Sequence, residues 1–305
     1  MLKHEEWRGN TSGATWMHQL LIVTFRYIGL RPVYLFMGLF VAPFYMLFNR
    51  KGYLSVYHYL RRQHGFSPVK SFRYTYLNHY RFGQIILDRF AVYAGCKYEF
   101  DLDGIGQFQE LVEKPGGFIM LSSHVGNYEI AGYSFNSPSK RYNALVFSGE
   151  AKTVMENRKR LLSAHNINMI PVAEDMSHVF EMSNALSDGE IVSIPGDRIF
   201  GSPRYLECDF LKGRARFPLG PYALAVQRGV PVVAIFVMKQ SLYKYKVYIR
   251  KIDTEGTAGL KRDEKARHIA ETFAKEMEKV LKVHPEQWFN YYEFWNDDRD
   301  GISED

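Results

Sequence analysis

The sequence lacks the patterns that most nucleophile-based and cofactor-dependent enzymes require. Its 305 residues include only two cysteines, Cys96 and Cys208, which cannot form a disulfide framework and favour a reducing compartment. It has no G-x-S-x-G elbow, which argues against an α/β-hydrolase. It also has no H-E-x-x-H motif, no G-x-G-x-x-G turn and no G-x-x-x-x-G-K-[ST] loop. We therefore expect neither a metal site nor a nucleotide cofactor.

Acidic residues are scarce in the N-terminal third. The first 100 residues carry 13 Lys and Arg against 4 Asp and Glu, whereas the rest of the chain carries 26 against 29. A basic, apolar region predicts contact with an anionic membrane surface or an acidic protein partner, and a solvated basic face is the alternative. We expect no nucleic-acid binding, because no helix-turn-helix, zinc-finger or RNP-like pattern accompanies the charge.

Long uncharged runs are also rare, and one near the N-terminus stands out. Residues 32–48 form a run of 17 residues without a charge, and Arg50 and Lys51 follow closely. A spanning helix needs about 20 apolar residues, so this run is at the lower limit. We interpret residues 1–50 as a membrane-anchor segment that enters or barely crosses the bilayer, with its basic flank in the cytoplasm. A buried hairpin in a soluble core is the alternative.

The remaining residues, 51–305, are predicted to form one α/β domain. Short apolar strands alternate with helical stretches across residues 116–252, which is typical of an α/β sheet. Strands are predicted at residues 118–121, 143–147, 169–171, 191–194, 232–238 and 245–250. Helices are predicted at residues 51–95, 126–134, 152–165, 176–187, 218–228 and 263–283. The predicted fold is a mixed sheet flanked by helices, after a hydrophobic N-terminal helical segment.

The strongest functional signal is a histidine at the end of a predicted buried strand. His124 follows that strand, and Glu129 lies five positions later. Five residues turn a helix by about 500°, so the two side chains meet only if His124 lies on the turn and Glu129 in the next helix. A carboxylate that holds one imidazole nitrogen leaves the other to accept a proton. The pattern predicts a base whose nucleophile comes from the substrate.

The same run resembles the signature of the lysophospholipid acyltransferase superfamily, which is His, four residues, then Asp or Glu. Several ordered blocks resemble its bacterial lipid A biosynthesis acyltransferases. They are residues 196–198 (Gly-Asp-Arg), 209–221 (with Phe-Pro-Leu-Gly-Pro), 229–233 (Gly-Val-Pro-Val-Val) and 285–288 (Pro-Glu-Gln-Trp). The resemblance implies a glycerolipid acyltransferase-like fold and covers about residues 118–288.

The resemblance also implies a reaction. A fatty acyl chain would pass from an acyl carrier protein thioester to a hydroxyl of a lipid A-type precursor. The expected partners are acyl carrier protein, the lipid acceptor and the anionic inner-membrane surface, and the location is the cytoplasmic face of the bacterial inner membrane. No metal or other cofactor is expected, because the thioester supplies the energy.

Two departures leave the acceptor open. Leu219 stands where glycerolipid acyltransferases carry Glu in Phe-Pro-Glu-Gly, which disfavours a lysophosphatidic acid acceptor, and residues 7–13 resemble family members from aryl-polyene or flexirubin-type pigment pathways. A lysophospholipid, an amino-acid lipid or such a pigment is therefore an alternative acceptor. A non-catalytic membrane scaffold on the same fold is the alternative from another class.

Four candidate residues belong to the His-x4-Glu run. His124 is expected to be the base, with a structural helix-capping histidine as the alternative. Glu129 is expected to orient it, with a helix-dipole charge as the alternative. The backbone N–H groups of Gly126 and Asn127 are candidates to stabilise the tetrahedral oxyanion, with simple turn chemistry as the alternative.

The other substrate-binding candidates rest on the resemblance. It implies that Arg198 contacts a phosphate, which suits a forked guanidinium, and that Asp197 orients it. An arginine that is paired with Asp197 or another carboxylate is the alternative. Arg214 and Arg216 would continue that anion site, with a solvated basic loop as the alternative. Arg158 matches an Asn-Arg pair that family members carry in a helix near the site.

Overall fold

Helices form the N-terminal layer of the computed structural model, which describes residues 15–132, 139–146, 166–173, 175–199, 204–254 and 257–295. They are α1 (Thr15–Tyr27), α2 (Leu30–Phe36), α3 (Ala42–Phe48), α4 (Arg50–His58) and α5 (Pro68–Tyr93). A π-helical segment, Met37–Val41, joins α2 to α3, and another, Tyr59–Gln63, extends α4. The boundary predicted after residue 50 falls at the first residue of α4, and helices from both sides of it pack on α5.

The stretch from α2 through α3 has two different faces. Within the described residues, Leu30–Phe48 is the one helical stretch long and apolar enough to cross a membrane. Its buried face packs Leu30, Tyr34 and Met37 into a cluster with Phe90 of α5. Its other face leaves large apolar side chains between 53% and 78% exposed, namely Leu35, Phe36, Leu39, Phe40, Phe44, Tyr45, Leu47 and Phe48. A contiguous exposed apolar surface of this kind marks an interaction site.

A mixed seven-stranded sheet forms the core of the chain. Its strands are β1 (Glu99–Asp103), β2 (Phe118–Ser122), β3 (Tyr142–Val146), β4 (Ile167–Pro171), β5 (Ile191–Pro195), β8 (Val232–Lys239) and β9 (Lys244–Lys251). They lie in the order β1-β9-β8-β2-β5-β3-β4, and neighbouring strands are parallel except β8 and β9, which are antiparallel. A separate antiparallel hairpin consists of β6 (Tyr205–Phe210) and β7 (Gly213–Pro218).

Further helices flank the sheet. They are α6 (Ile105–Glu113), α7 (Tyr128–Gly132), α8 (Ser177–Ser187), α9 (Leu219–Arg228) and α10 (Arg262–Val283), and a 3-10 turn follows at Pro285–Gln287. The apolar stripe of α10, including Ile269, Phe273 and Met277, is buried in the main core. Burial of such a stripe stabilises an amphipathic helix against a sheet.

The structure confirms the predicted α/β class, with a mixed sheet flanked by helices and an N-terminal helical segment. Each of the six predicted strands corresponds to a strand of the large sheet. The sequence patterns missed β1, β6, β7 and α6. Strand β1 reads Glu-Phe-Asp-Leu-Asp and lies at the sheet edge, where charged residues are common and apolar periodicity is weak. The helix predicted at residues 152–165 lies outside the described residues.

Candidate active site

Two neighbouring parallel strands bring the central residues of the site together. In the register of β2 with β5, Ser122 pairs with Pro195. Gly196 then donates its N–H to the Ser122 carbonyl at 2.8 Å, which continues the pairing past the strand end. His124 and Asp197 each lie two residues beyond the paired positions, so both stand at the carboxyl edge of the sheet. Ligands bind outside this edge in open α/β sheets.

His124 and Asp197 form a two-point contact. The Asp197 carboxylate accepts the His124 backbone N–H through Oδ2 at 2.8 Å, and its Oδ1 lies 2.9 Å from Nδ1 of the imidazole. The Asp197 side chain is 1% exposed and that of His124 is 18% exposed. A carboxylate on Nδ1 favours the tautomer with the proton on that nitrogen, so Nε2 carries the lone pair. This is the arrangement that a general base needs.

The surroundings keep the imidazole neutral and the carboxylate charged. Burial lowers the pKa of His124 below its ordinary value of 6.5 and the positive charge of Arg198 lowers it further, against the opposing attraction of Asp197. Burial acts to raise the pKa of Asp197, but His124 and Arg198 outweigh it, and the pKa falls below 3.8. At neutral pH the pair is therefore a neutral imidazole held by a carboxylate.

These charges predict the acid limb of the pH–rate profile. Only neutral His124 can accept a proton, so kcat/KM falls about tenfold per pH unit below its pKa. Because that pKa is lowered, the midpoint of the limb is expected below pH 6.5. Arg198→Gln removes a charge that lowers the pKa, so the midpoint moves to higher pH. A profile of kcat/KM against pH for wild type and Arg198→Gln checks this, with Arg228→Gln at the end of α9 as the control. An unmoved midpoint in Arg198→Gln would contradict it.

Gly126 and Asn127 tie the turn after His124 to the rest of the chain. Gly126 donates its N–H to the Gln287 carbonyl at 2.7 Å, and Asn127 donates its N–H to the Val237 carbonyl at 2.7 Å. Both N–H groups, expected above as oxyanion donors, are thus engaged in structural hydrogen bonds. The Asn127 side chain instead accepts the Ile130 N–H through Oδ1 at 3.3 Å, at the start of α7. The two residues build the turn, and that part of the expectation is corrected.

Gly126 is the turn position where a side chain has no room. Its φ is +69°, and a Cβ there would lie 2.1 Å from the Val237 carbonyl oxygen. Gly126→Ala is expected to cost about 2 kcal/mol or more of stability and to remove activity by displacing His124. Thermal unfolding and turnover measure both effects. Gly106→Ala, in α6 with nothing within 4 Å of its Cβ, is the control and should stay within about 0.5 kcal/mol of wild type. A fully stable and active Gly126→Ala would contradict this description of the turn.

Glu129 has a different contact from the one expected. Its Oε2 lies 2.7 Å from a guanidinium nitrogen of Arg89 on α5, and the two side chains are 9% and 18% exposed. The carboxylate on Nδ1 of His124 is Asp197. This corrects the expectation that Glu129 orients the imidazole. Glu129 does lie in the first turn of α7, as the five-residue spacing required.

Arg198 lies beside the pair and joins the site to the C-terminal segment. Its guanidinium donates to the Phe289 carbonyl at 2.6 Å and lies 5.7 Å from the Tyr292 ring centroid. Phe289 in turn donates its N–H to the His124 carbonyl at 3.0 Å. The segment after the 3-10 turn therefore fixes both the backbone of His124 and the side chain of Arg198.

The family model for bacterial lipid A biosynthesis acyltransferases matches residues 89–296. This chain belongs to that family. The resemblance drawn from the sequence is therefore confirmed, and the protein is an acyltransferase. No curated protein matches the sequence. A solved structure similar to this chain is the 1-acyl-sn-glycerophosphate (LPA) acyltransferase PlsC from Thermotoga maritima, at 16% identity over 78% of this chain and 96% of that one, with a TM-score of 0.38.

The remaining candidates of this lipid A-family acyltransferase lie away from the turn in sequence. Arg214 and Arg216 lie on β7, directly across from Asp209 and Glu207 of β6, and their nitrogens lie 3.6–3.9 Å from those carboxylates. Arg214 also lines a cavity of about 260 Å³ with Arg62 and Lys212 among its other lining residues. Their role as an anion site stays a prediction. Arg158 lies outside the described residues.

Two residues that hold this acyltransferase site together were missed by sequence reasoning. Gln287 accepts the Gly126 N–H through its backbone carbonyl, and Arg89 pairs with Glu129. Gln287 belongs to the block at residues 285–288 that resembles the family. The sequence therefore indicated that this segment matters, but it did not show that Gln287 contacts Gly126. Arg89 carried no signal, because one arginine in a helix is ordinarily a solvated residue.

Proposed function

We propose that this acyltransferase moves a fatty acyl chain from an acyl carrier protein thioester to a hydroxyl of a lipid A-type precursor. The observation that carries the proposal is the His124–Asp197 pair at the carboxyl edge of the sheet, with the Nδ1 contact at 2.9 Å. Family membership supports the lipid acceptor class. In a reaction in which the acceptor hydroxyl attacks, the acceptor is itself the nucleophile, so the enzyme needs a base and a carboxylate that orients it, which this pair provides.

The chemistry follows from the state of the pair. Nε2 of His124 takes the proton from the acceptor hydroxyl as its oxygen attacks the thioester carbonyl. Asp197 stabilises the imidazolium that forms. The tetrahedral intermediate then collapses, the C–S bond breaks, and His124 returns the proton to the leaving thiolate. The products are an ester and a free thiol, and the thioester supplies the energy without a metal or a nucleotide.

The N-terminal layer supports a location at an anionic membrane. The exposed apolar face of Leu30–Phe48 lies next in sequence to Arg26, Arg50 and Lys51, which are all exposed. Apolar burial combined with basic residues binds anionic lipid surfaces, and positive flanks favour the cytoplasmic side. We therefore propose the cytoplasmic face of the bacterial inner membrane as the location, with this face as the membrane contact.

A second basic surface supports an acidic protein donor. Arg61, Arg62, Lys70 and Arg73 are all exposed, on the π-helical segment after α4 and the first turns of α5. Complementary charge steers an acidic partner such as acyl carrier protein toward such a surface. We propose this surface, close in sequence to the apolar layer, as the place where the donor approaches.

The acceptor is tested by comparing lipids made with and without the protein. Membranes of a host that makes the lipid A precursor are extracted before and after expression of wild type and of His124→Ala. The proposal predicts a lipid A-type species heavier by one acyl chain only with wild type. The same mass increase on a lysophospholipid, an amino-acid lipid or a polyene pigment would replace the acceptor while leaving the reaction class intact. No acylated lipid of any kind would contradict the proposal.

A further inference from the structure

A buried ion pair joins the N-terminal helices to the sheet. Asp88 of α5 and Lys239 at the end of β8 have fully buried side chains, and Nζ lies 2.5 Å from Oδ2. Burying two charges costs several kcal/mol per ion unless hydrogen bonds compensate. Three tyrosines provide them, because Tyr34 and Tyr98 donate to Oδ1 of Asp88 and Tyr245 donates to Oδ2. So many donors on one buried carboxylate fix its position.

One route from this pair reaches the turn through a side chain. Tyr245 on β9 accepts from Nδ2 of Asn127 at 3.1 Å, through the same hydroxyl that donates to Asp88. Asn127 is therefore held at both ends of its amide, by Tyr245 on one side and by the Ile130 N–H on the other. Asn127 lies three residues after His124, so the orientation of Asp88 bears on the position of the turn.

A second route runs through the backbone of Lys239. Its N–H donates to Oε1 of Gln287 at 2.8 Å, and its carbonyl accepts from Nε2 of the same amide at 3.0 Å. The Gln287 carbonyl then accepts the Gly126 N–H at 2.7 Å. Lys239, which neutralises Asp88, therefore also fixes the Gln287 side chain, and the Gln287 backbone in turn holds Gly126 of the turn.

A third contact comes from the next residue along α5. Arg89 follows Asp88 directly and pairs with Glu129 at 2.7 Å. Helix α5, which packs against the N-terminal helices, thus contacts Glu129 directly through Arg89 and reaches Asn127 through Asp88 and Tyr245. Tyr34, which donates to the same Asp88 carboxylate, belongs to α2, whose outer face is exposed and apolar.

We propose that Asp88, Lys239 and Tyr245 are positioning residues for the acyl-transfer step, and that Tyr34 makes the apolar helix α2 part of the same network. The inference rests on the proposed function, since it concerns the turnover of that reaction. The hydrogen bonds described above link these four residues to one another and to Asn127 and Gln287, so they act by holding the turn that carries His124. A displacement of about 1 Å at a reacting group lowers turnover by up to about 10²-fold. Loosening this network therefore lowers kcat and leaves KM nearly unchanged.

Removing single hydroxyls tests the network without leaving an unpaired buried charge. Tyr245→Phe deletes the bonds to Asn127 and Asp88, and Tyr34→Phe deletes one bond to Asp88. We expect kcat to fall about tenfold for Tyr245→Phe and about threefold for Tyr34→Phe, with KM within about twofold of wild type. Tyr142→Phe is the matched control, because Tyr142 is buried and its hydroxyl has no hydrogen-bond partner among the described residues.

The assays run well below the measured unfolding temperature of each variant, so a loss of kcat reports on the folded enzyme. Equal kcat for Tyr245→Phe, Tyr34→Phe and Tyr142→Phe would overturn the positioning role. His124→Ala, run beside them, separates this failure from failure of the proposed function. If His124→Ala is inactive while Tyr245→Phe matches wild type, only the positioning role is wrong. If His124→Ala keeps full activity, the proposed base is wrong.

Discussion

His124→Ala is expected to lower kcat about 10³-fold, within the range of about 10²–10⁴ that a general base contributes. The neutral imidazole carries its lone pair on Nε2, which suits it to deprotonate the acceptor hydroxyl, and Asp197 lies 2.9 Å from Nδ1. KM for the donor should change little, because the imidazole acts in the proton-transfer step and not in binding of the donor. The measurement is the release of free thiol from acyl carrier protein thioester by purified enzyme with excess acceptor.

The control for this substitution is another histidine. His268 lies on α10 and contacts the Asp253 carbonyl at 3.1 Å. His268→Ala is expected to keep turnover within about twofold of wild type. If His124→Ala released thiol at the wild-type rate in the presence of acceptor, the base would have to be another group.

Asp197→Asn is expected to lower kcat by about 10²–10⁴-fold, by reversing the imidazole tautomer. Asp197 is fully buried and accepts from both the backbone and the ring of His124. An asparagine amide there donates to Nδ1, so the proton moves to Nε2, and Nε2 can no longer act as a base. The side chain keeps its shape, so the fold should survive. Turnover gives the size of the loss, and the ¹⁵N chemical shifts of His124 report the tautomer.

Glu129→Gln is the matched comparison for this substitution. Its carboxylate pairs with Arg89, so this variant removes a charge near the turn without changing the carboxylate that contacts Nδ1 of His124. We expect His124 to keep its proton on Nδ1 in Glu129→Gln and to lose it in Asp197→Asn. The reverse pattern, with the tautomer changed only by Glu129→Gln, would show that Glu129 and not Asp197 orients the His124 imidazole.

The error over the orienting carboxylate has a clear physical origin. The sequence placed His124 and Asp197 each just after a predicted strand, which the structure confirms. It did not show that β2 and β5 are neighbours, because strand order depends on long-range packing. Without that order, the nearest carboxylate in sequence, Glu129, was the natural choice. The register of β2 with β5 makes a residue 73 positions away the actual neighbour.

In the turn after His124, the backbone shape could be predicted from the sequence but its hydrogen-bond partners could not. A glycine after the histidine predicted a tight turn, and the positive φ of Gly126 confirms it. The use of its N–H was not predictable, because its acceptor, the Gln287 carbonyl, lies on a segment distant in sequence. Local chemistry thus predicted the backbone shape, whereas distant partners decided which donors remain for a substrate.

The buried Asp88–Lys239 pair could be predicted from the sequence only in part. Lys239 ends the eight-residue strand β8, Val-Val-Ala-Ile-Phe-Val-Met-Lys, which is buried throughout. Asp88 stands in α5 between the buried residues Leu87 and Phe90. A charge among apolar neighbours predicts a buried partner, because an unpaired buried charge is too costly. Which two charges meet could not be inferred before the helix and the strand were placed together.

The acyl-transfer reaction is tested most directly by following a radiolabelled acyl chain from acyl carrier protein into membrane lipid, with wild type, His124→Ala and Asp197→Asn side by side. We expect one labelled lipid with wild type and at most traces with either variant. Labelling by His124→Ala at the wild-type rate would contradict the proposed base. Absence of label with wild type, from acyl carrier protein and from coenzyme A alike, would contradict the proposed reaction itself.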